Sequence, residues 1–434
     1  MAEARDYTVA TIAAKIADGS LTASALLESC LERIDAREAD VGAFAHLDRE
    51  QARATAKQRD QEAPRTPLHG VPVGVKDIYD TASMPTSYGT VIYAGHQPNR
   101  DAFVVSALAK AGAVLVGKTV ATEFGILTPG KTRNPHDLER TPGGSSSGSA
   151  AAVADAMLPI SVGSQTTGST IRPAAFCGVY GMKPSAGLID RTGMLLHSQT
   201  LDAVGFFGRE ADDLTVLFDV LARPHPTHTG RREESDLWRD TSTNPRFAFV
   251  RTSIFEDLEP GIGDALLRGV DRLSDAGAEV IERELPVSLE EIIAVQTVIA
   301  DYEAAECLGG EYDNHQSQLS DFLVTMIERG RSVSREAFEE ALAICRHTFW
   351  TFAALYDGID AVLTPAAPGE APLGIRATGS PAYGRLWTFA GVPAISVPGL
   401  TGPSGMPVGM QLTARNGDDY RAIAASRWVG EHLT

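Results

Sequence analysis

The chain has 434 residues, 43% of them hydrophobic and 22% charged, which is typical of a globular protein and excludes a disordered one. Its formal net charge of −18, from 38 basic and 56 acidic residues, argues against nucleic acid or an anionic membrane as the main partner. Four cysteines lie far apart without a CxxC pair, which favours reduced thiols and a cytoplasmic location. The first residues do not read as a signal peptide, and no apolar run approaches the roughly 18 residues that a membrane span needs.

Predicted helices and strands alternate along most of the chain. In chain order, the apolar spacing predicts helices over 8–18, 22–37 and 48–61, a strand over 69–80, a helix over 101–112, strands over 113–117 and 246–251, a helix over 260–277, strands over 278–286 and 360–365, and a closing strand and helix over 405–417 and 418–433. Thr22 is the predicted N-cap of the second helix. This alternation predicts an α/β layered sandwich.

We expect one domain over residues 1–434: a single large α/β/α sandwich around a central mixed, mostly parallel twisted sheet. Residues 1–66 are expected to form N-terminal helices that pack on this core. The polar, turn-rich stretch 224–245 is interpreted as a surface connection between two halves of the sheet. Residues 286–357 read as largely helical, and we expect them to cover the pocket.

Two local matches to known patterns fail on their context. GAVLVGKT, 112–119, has the letters of a phosphate-binding loop, but a helix is predicted before it and a buried strand inside it, which disfavours nucleotide binding. GSSSG, 144–148, has the letters of a nucleophile elbow centred on Ser146, but no strand leads into it. The residues around the late histidines, His347 and His432, do not indicate that either histidine is the base partner of Ser146.

Two serine- and glycine-rich segments, TPGGSSSGSAAAV at 141–153 and GSQTTGSTIRPAAFCG at 163–178, together resemble the signature of the amidase signature family of serine hydrolases. Further matching segments are HGVPVGVKDIYD upstream and LDAVGFFGR, GVPAISVPGL and GMPVGMQL downstream. The resemblance covers most of residues 67–215 and 358–430 and is weak over 225–357. It implies the family's fold and amide hydrolysis without a cofactor or a metal.

Residue by residue, the resemblance implies a Ser-cisSer-Lys triad of Lys76, Ser145 and Ser169. Ser169 would be the nucleophile and Lys76 the general base. Ser145 would follow a cis peptide from Gly144 and relay protons between them. The two serines are 24 positions apart (169 − 145), which fits the family.

The chemistry of this triad makes a demand on the lysine. A serine hydroxyl becomes a good nucleophile only when a neighbour takes its proton, and a lysine can do so only when neutral. The pKa of a free lysine, about 10.4, must fall by roughly three units to serve near pH 7. Burial of Lys76 within the apolar strand would lower it, and Asp77 should not neutralise Lys76 because neighbours in a strand point to opposite faces.

The segment before the nucleophile departs from the family pattern. The backbone N–H groups of Thr166, Thr167, Gly168 and Ser169 are the expected oxyanion hole. Most members read Asp-x-Gly-Gly-Ser there. This chain has Gln165 in place of the aspartate and Thr167 in place of the first glycine. The backbone at Thr167 must therefore avoid positive φ or bear strain.

The arginine after the nucleophile is also displaced, from two residues to three, at Arg172. This version resembles the malonamidase branch of the family, whose arginine grips a substrate carboxylate. A bidentate carboxylate contact suits a guanidinium. Pairing of Arg172 with an internal acid is an equally good interpretation at this point.

The sequence therefore predicts an amidase that cleaves the C–N bond of a linear amide through an acyl-enzyme on Ser169. A carbamate (urethane) or ester hydrolase with the same triad is one alternative, and an amidase-like subunit of an amidotransferase complex is another. The expected partner is a small-molecule amide or carbamate, and a homodimer is left open.

Overall fold

The computed structural model describes residues 3–223, 231–239 and 244–433. Its strands are β1 (Phe44–Leu47), β2 (Pro72–Lys76), β3 (Val114–Thr119), β4 (Ile160–Gln165), β5 (Tyr180–Lys183), β6 (Ala203–Gly208), β7 (Arg246–Val250), β8 (Glu279–Arg283), β9 (Ala361–Pro365), β10 (Ala394–Thr401) and β11 (Pro407–Thr413). Its helices are α1 (Val9–Ala17), α2 (Ala23–Val41), α3 (Arg49–Arg59), α4 (Phe103–Ala111), α5 (Ser147–Ala154), α6 (Ile171–Cys177), α7 (Ala211–Leu221), α8 (Ile262–Asp275), α9 (Leu289–His315), α10 (Asp321–Ser332), α11 (Arg335–Ala353), α12 (Ala382–Phe389) and α13 (Asp419–Leu433).

All eleven of these strands form a single sheet, in the order β1-β3-β2-β4-β6-β5-β10-β11-β9-β7-β8. Four pairings between described strands are parallel (β2–β3, β2–β4, β7–β8 and β7–β9), and the other six are antiparallel. The predicted mixed sheet is thus confirmed, but its description as mostly parallel is wrong. The centre of the sheet, from β4 to β9, is antiparallel throughout, and the short link between β10 and β11 permits only that direction.

Helices cover both faces of this sheet. Alternate residues of β4 show the division: Ile160 and Val162 lie in the largest core, which also contains residues of α1, α4, α7, α8 and α13. Ser161, between them, faces the other way and donates to the Ser149 carbonyl in α5 at 2.7 Å. The predicted α/β/α layering is therefore confirmed.

The N-terminal part contains a strand that the spacing did not predict. Four residues, Phe44–Leu47, form β1 and pair antiparallel with β3 at the edge of the sheet. The predicted N-cap is confirmed, since the Thr22 side chain accepts from the Ala25 N–H at 3.0 Å. Helix α2 runs on to Val41 and ends at Gly42, whose φ of 63° is the left-handed conformation that glycine adopts freely.

Some predicted segments differ in extent from the observed ones. The strand predicted over 69–80 is limited to Pro72–Lys76, because the chain turns directly after Lys76. Of the predicted connection 224–245, residues 224–230 and 240–243 lie outside the described residues, and Arg232–Asp236 form a short 3-10 helix. Among the described residues, no helix combines the length and apolarity needed to cross a membrane.

Two buried helices position the serine-rich segments. Almost every residue of α5 and α6 is buried, so each helix packs closely on its surroundings. The approach is tightest at Gly148, where an added Cβ would lie only 2.1 Å from the Ala43 carbonyl oxygen. Ser145 lies two residues before α5 and Ser169 two residues before α6, so the packing of this helix pair brings the two serine segments together.

Candidate active site

The first serine segment is a packed network of hydroxyls. The peptide between Gly144 and Ser145 is cis, as the family resemblance implies. The Ser146 hydroxyl donates to the Ser164 carbonyl and accepts from the Ser164 N–H, both at 3.1 Å. The Ser147 hydroxyl donates to the Gly143 carbonyl at 2.8 Å. Because Ser146 is bound to the backbone of β4, it has a structural environment and not that of an elbow nucleophile.

Lys76 ends β2 and is fully buried. Its Nζ lies 2.6 Å from Ser145 Oγ and 2.8 Å from Ser164 Oγ. Burial lowers the pKa of Lys76 from its ordinary 10.5 to about 7, with the charge of Asp202 opposing the shift and that of Arg172 adding to it. The amine is therefore half neutral near pH 7, in contact with hydroxyls that can exchange protons with it.

Asp77 does not pair with Lys76. Its carboxylate accepts from the Ser87 N–H at 3.1 Å and forms an ion pair with Lys118 Nζ at 3.2 Å. Lys118 Nζ also donates to the Tyr79 carbonyl at 2.6 Å. This is the lysine of the GAVLVGKT segment, and the strand β3 inside that segment removes the loop that phosphate binding requires.

Ser169 lies at the turn between β4 and α6 and lines a pocket. Its carbonyl accepts from the Ser146 N–H at 3.3 Å, which ties the two serine segments together. Within the described residues, Ser169 Oγ makes no hydrogen bond to Ser145 or Lys76, so the structure joins two members of the predicted triad directly and not the third. Gly125 lies close to both serines. It lines the same pocket as Ser169, and a Cβ added to Gly125 would lie 4.0 Å from Ser145 Oγ.

The turn before Ser169 is held by side chains. Gln165 Oε1 accepts from the N–H groups of Thr170 at 2.9 Å and Ile171 at 3.0 Å, at the start of α6. The Thr166 hydroxyl donates to Asp202 Oδ1 at 2.5 Å. Thr167 is not among the residues with positive φ, so its backbone avoids the strain that a threonine in place of glycine would otherwise bear.

The N–H groups of Thr167, Gly168 and Ser169 donate to no acceptor within the described part of the chain. They follow one another along a turn that borders the pocket, where Thr167 and Ser169 are both part of the wall. Unpaired backbone donors beside a cavity are available to a ligand oxygen.

Arg172 is buried beneath the first serine segment. Its Nη2 donates to the Gly144 carbonyl at 2.6 Å and to Thr378 Oγ1 at 3.1 Å. Its Nε and Nη1 are buried without a partner among the described residues. Burial, with a contribution from the charge of Arg385, lowers the pKa of Arg172 to about 9. Within the described residues, Arg172 therefore forms no ion pair with an internal acid, and it is not part of the wall of the pocket beside Ser169.

That pocket has a volume of about 70 Å³. Thr166, Thr167 and Ser169 line it. Residues of α9, α10 and α12 line it as well. No group of three or more His, Cys, Asp or Glu side chains in the described ranges is arranged to hold a metal ion.

Several residues of the site escaped the sequence analysis. Ser164 and Asp202 lie within the matching segments, and the polar character of Ser164 near the end of an apolar strand was a usable signal. Gln296 and Arg385 reach the pocket from α9 and α12, in regions without a motif to indicate them.

The architecture is that of amidase-signature enzymes. A crystal structure of an amidase matches with a TM-score of 0.87 at 31% identity, over 99% of this chain and 100% of that one. The native peptide amidase from Stenotrophomonas maltophilia matches with a TM-score of 0.84 at 25% identity, over 98% of this chain and 97% of the peptide amidase.

The sequence comparison gives the family. The Amidase family model matches residues 25–423. A glutamyl-tRNA(Gln) amidotransferase subunit of Chloroflexus aggregans is 32% identical over 96% of this chain and 95% of its own length. The chain belongs to the Amidase family, as the sequence motifs predicted. Assignment to the malonamidase branch stays a prediction.

Proposed function

We propose that this chain is an amidase in which Ser169 attacks the amide carbonyl, Ser145 relays protons and Lys76 is the base. The observation that carries the proposal is the contact between the buried Lys76 amine, whose pKa is about 7, and two hydroxyls. A lysine so placed can accept a proton from a hydroxyl at neutral pH.

The first half of the reaction forms an acyl-enzyme. Ser169 Oγ bonds to the carbonyl carbon while its proton passes through Ser145 to neutral Lys76. The negative charge that develops on the carbonyl oxygen is met by the N–H groups of the Thr166–Ser169 turn, our proposed oxyanion hole. The C–N bond then breaks, and the departing nitrogen takes the proton back from Lys76 through Ser145.

The second half releases the acid. Water gives a proton through Ser145 to Lys76 and bonds to the acyl carbon. The bond to Ser169 Oγ breaks, and the proton returns to that oxygen. Each half begins and ends with neutral Lys76, so one buried amine serves both as base and as acid.

The experiment compares serine and lysine variants on a panel of amides. Ser169→Ala is expected to abolish both turnover and labelling by a fluorophosphonate probe. Lys76→Met is expected to abolish turnover while the far-UV circular dichroism stays that of the wild type. Ser161→Ala is the matched control, since this serine is also buried and, within the described residues, its hydroxyl bonds to the Ser149 carbonyl in α5 and to no member of the proposed triad. Activity like the wild type in either of the first two variants would overturn the proposal.

The role of Arg172 as a substrate carboxylate ligand receives little support from its contacts. Its guanidinium is held by the Gly144 carbonyl and Thr378. We propose instead that Arg172 fixes the carbonyl next to Ser145 and thereby positions the relay. This role predicts equal losses on neutral and acidic amides in an Arg172 variant.

A second candidate function is that of an amidotransferase subunit, which the names of curated relatives at 32% and 34% identity favour. Such a protein needs a partner that receives ammonia. Full amidase activity of the purified chain alone would count against it.

The same panel should include an aryl carbamate and an ester, because faster turnover of the carbamate than of matched amides would make the chain a urethanase.

A further inference from the structure

Two arginines line the pocket beside Ser169, and they differ in their partners. Arg329 is engaged: its Nε and Nη2 contact the two oxygens of Asp301 at 2.7 and 3.0 Å. Arg385 has no such partner, since within the described part of the chain its guanidinium donates only to Thr297 Oγ1, at a long 3.3 Å. No acidic oxygen in the described ranges lies within 4.0 Å of Arg385.

The surroundings of Arg385 are short of negative charge. Burial lowers the pKa of Arg385, and the attraction of Asp301 only partly offsets this. Arg385 in turn lowers the pKa of Arg172, so the two guanidiniums are close enough to repel each other. A partly buried cation without a counter-ion is costly, and an anionic ligand would remove that cost.

The backbone around Arg385 is fixed. Gln296 Nε2 donates to the Arg385 carbonyl at 3.2 Å, which joins α12 to α9. The Arg385 guanidinium and Ser169 line the same pocket. A substrate whose amide carbonyl meets Ser169 can therefore reach Arg385 with another of its groups.

We propose that Arg385 binds a carboxylate of the substrate, so that the substrate class is small amides carrying a carboxylate a few bonds from the scissile amide. This inference rests on the proposed function, because Ser169 locates the scissile carbonyl. The pocket volume of about 70 Å³ is several times the roughly 10–15 Å³ that one ordered water requires, and it suits a compact substrate. The planar guanidinium fork matches a carboxylate with two hydrogen bonds.

The test compares succinamate with succinamide, which has the same length and no charge. The variants are Arg385→Gln and, as a control, Arg335→Gln, whose side chain is exposed on α11 and paired with Glu339. Arg385→Gln is expected to lower kcat/KM for succinamate by about 10- to 100-fold, mainly through KM, and for succinamide by less than about threefold. Arg335→Gln should change neither. Equal losses on both substrates would overturn the carboxylate role.

A binding measurement separates this inference from the proposed function. In the Ser169→Ala background, succinamate should raise the melting temperature more than succinamide does, and Arg385→Gln should remove that difference. Absence of stabilisation by succinamate before the arginine is changed would also refute the inference. Undiminished turnover by Ser169→Ala would refute the proposed function while leaving this binding result to stand by itself. Arg385→Lys should bind succinamate with intermediate strength, because it keeps the charge and loses the fork.

Discussion

The lowered pKa of Lys76 predicts a defined pH dependence of the reaction. If the neutral amine is the base, kcat/KM should rise with pH and reach half its plateau near pH 7, where Lys76 titrates. Below that point the neutral fraction, and with it the rate, falls about tenfold per pH unit. The rate at pH 5 should thus be about a hundredth of the plateau value.

The same group should leave a signature in folding stability. Between pH 7 and 10.5 the unfolded chain holds a proton on Lys76 that the folded chain has lost. Stability therefore rises with pH across this window, by about 1.4 kcal/mol per unit. The whole difference between 10.5 and about 7 corresponds to roughly 5 kcal/mol.

The assay is urea denaturation of the wild type and Lys76→Met at intervals from pH 6.5 to pH 9. Burial also lowers the pKa values of Lys118 and Lys183, to about 8 each, but both groups titrate in both proteins and cancel in the difference. We expect the wild type to gain roughly 2–3 kcal/mol on the variant between pH 7 and 9. A stability difference independent of pH, together with a flat rate profile from pH 5.5 to 8.5, would refute a base role for Lys76.

Three further changes test the surroundings of the triad. Asp202→Asn removes a charge that raises the pKa of Lys76, so the midpoint of the rate profile should move to lower pH; a shift upward would contradict this assignment. Arg172→Ala should reduce kcat on neutral and acidic amides alike, by about tenfold, because it removes a hydrogen bond from the Gly144 carbonyl; a loss on acidic amides alone would restore the carboxylate role. Gly148→Ala should lower the unfolding free energy by about 1–3 kcal/mol, measured by denaturation, because its Cβ would meet the Ala43 carbonyl.

The sequence predicted the contact between Lys76 and Ser145 because segments that match a family's motifs are expected to adopt the same arrangement as in that family. It did not predict where Arg172 points, since one position along a short helix rotates a side chain by about 100°, and the result depends on what surrounds the helix. Arg385 and Thr297 are 88 positions apart and meet only because α12 packs on α9. A contact of that kind has no local pattern in the sequence.

The errors in the predicted fold also arise from contacts that leave no local pattern in the sequence. Strands buried on both faces read as apolar runs whether their neighbours are parallel or antiparallel, so a mostly parallel sheet could not be distinguished from the observed one. The four-residue strand β1 is too short for alternation to stand out, and its place is decided by pairing with β3.

Two buried lysines on adjacent strands show what makes one of them suitable as a base. Lys76 on β2 and Lys118 on β3 are both inaccessible to solvent and both have lowered pKa values. Lys118 has Asp77 at 3.2 Å and the Tyr79 carbonyl at 2.6 Å, acceptors that favour its protonated form. The direct contacts of Lys76 are hydroxyls, which can donate as well as accept and therefore tolerate the neutral amine. Burial alone does not decide which lysine is suited to be a base; Asp77 is directed towards Lys118 and not towards Lys76, so Lys76 loses its proton more readily.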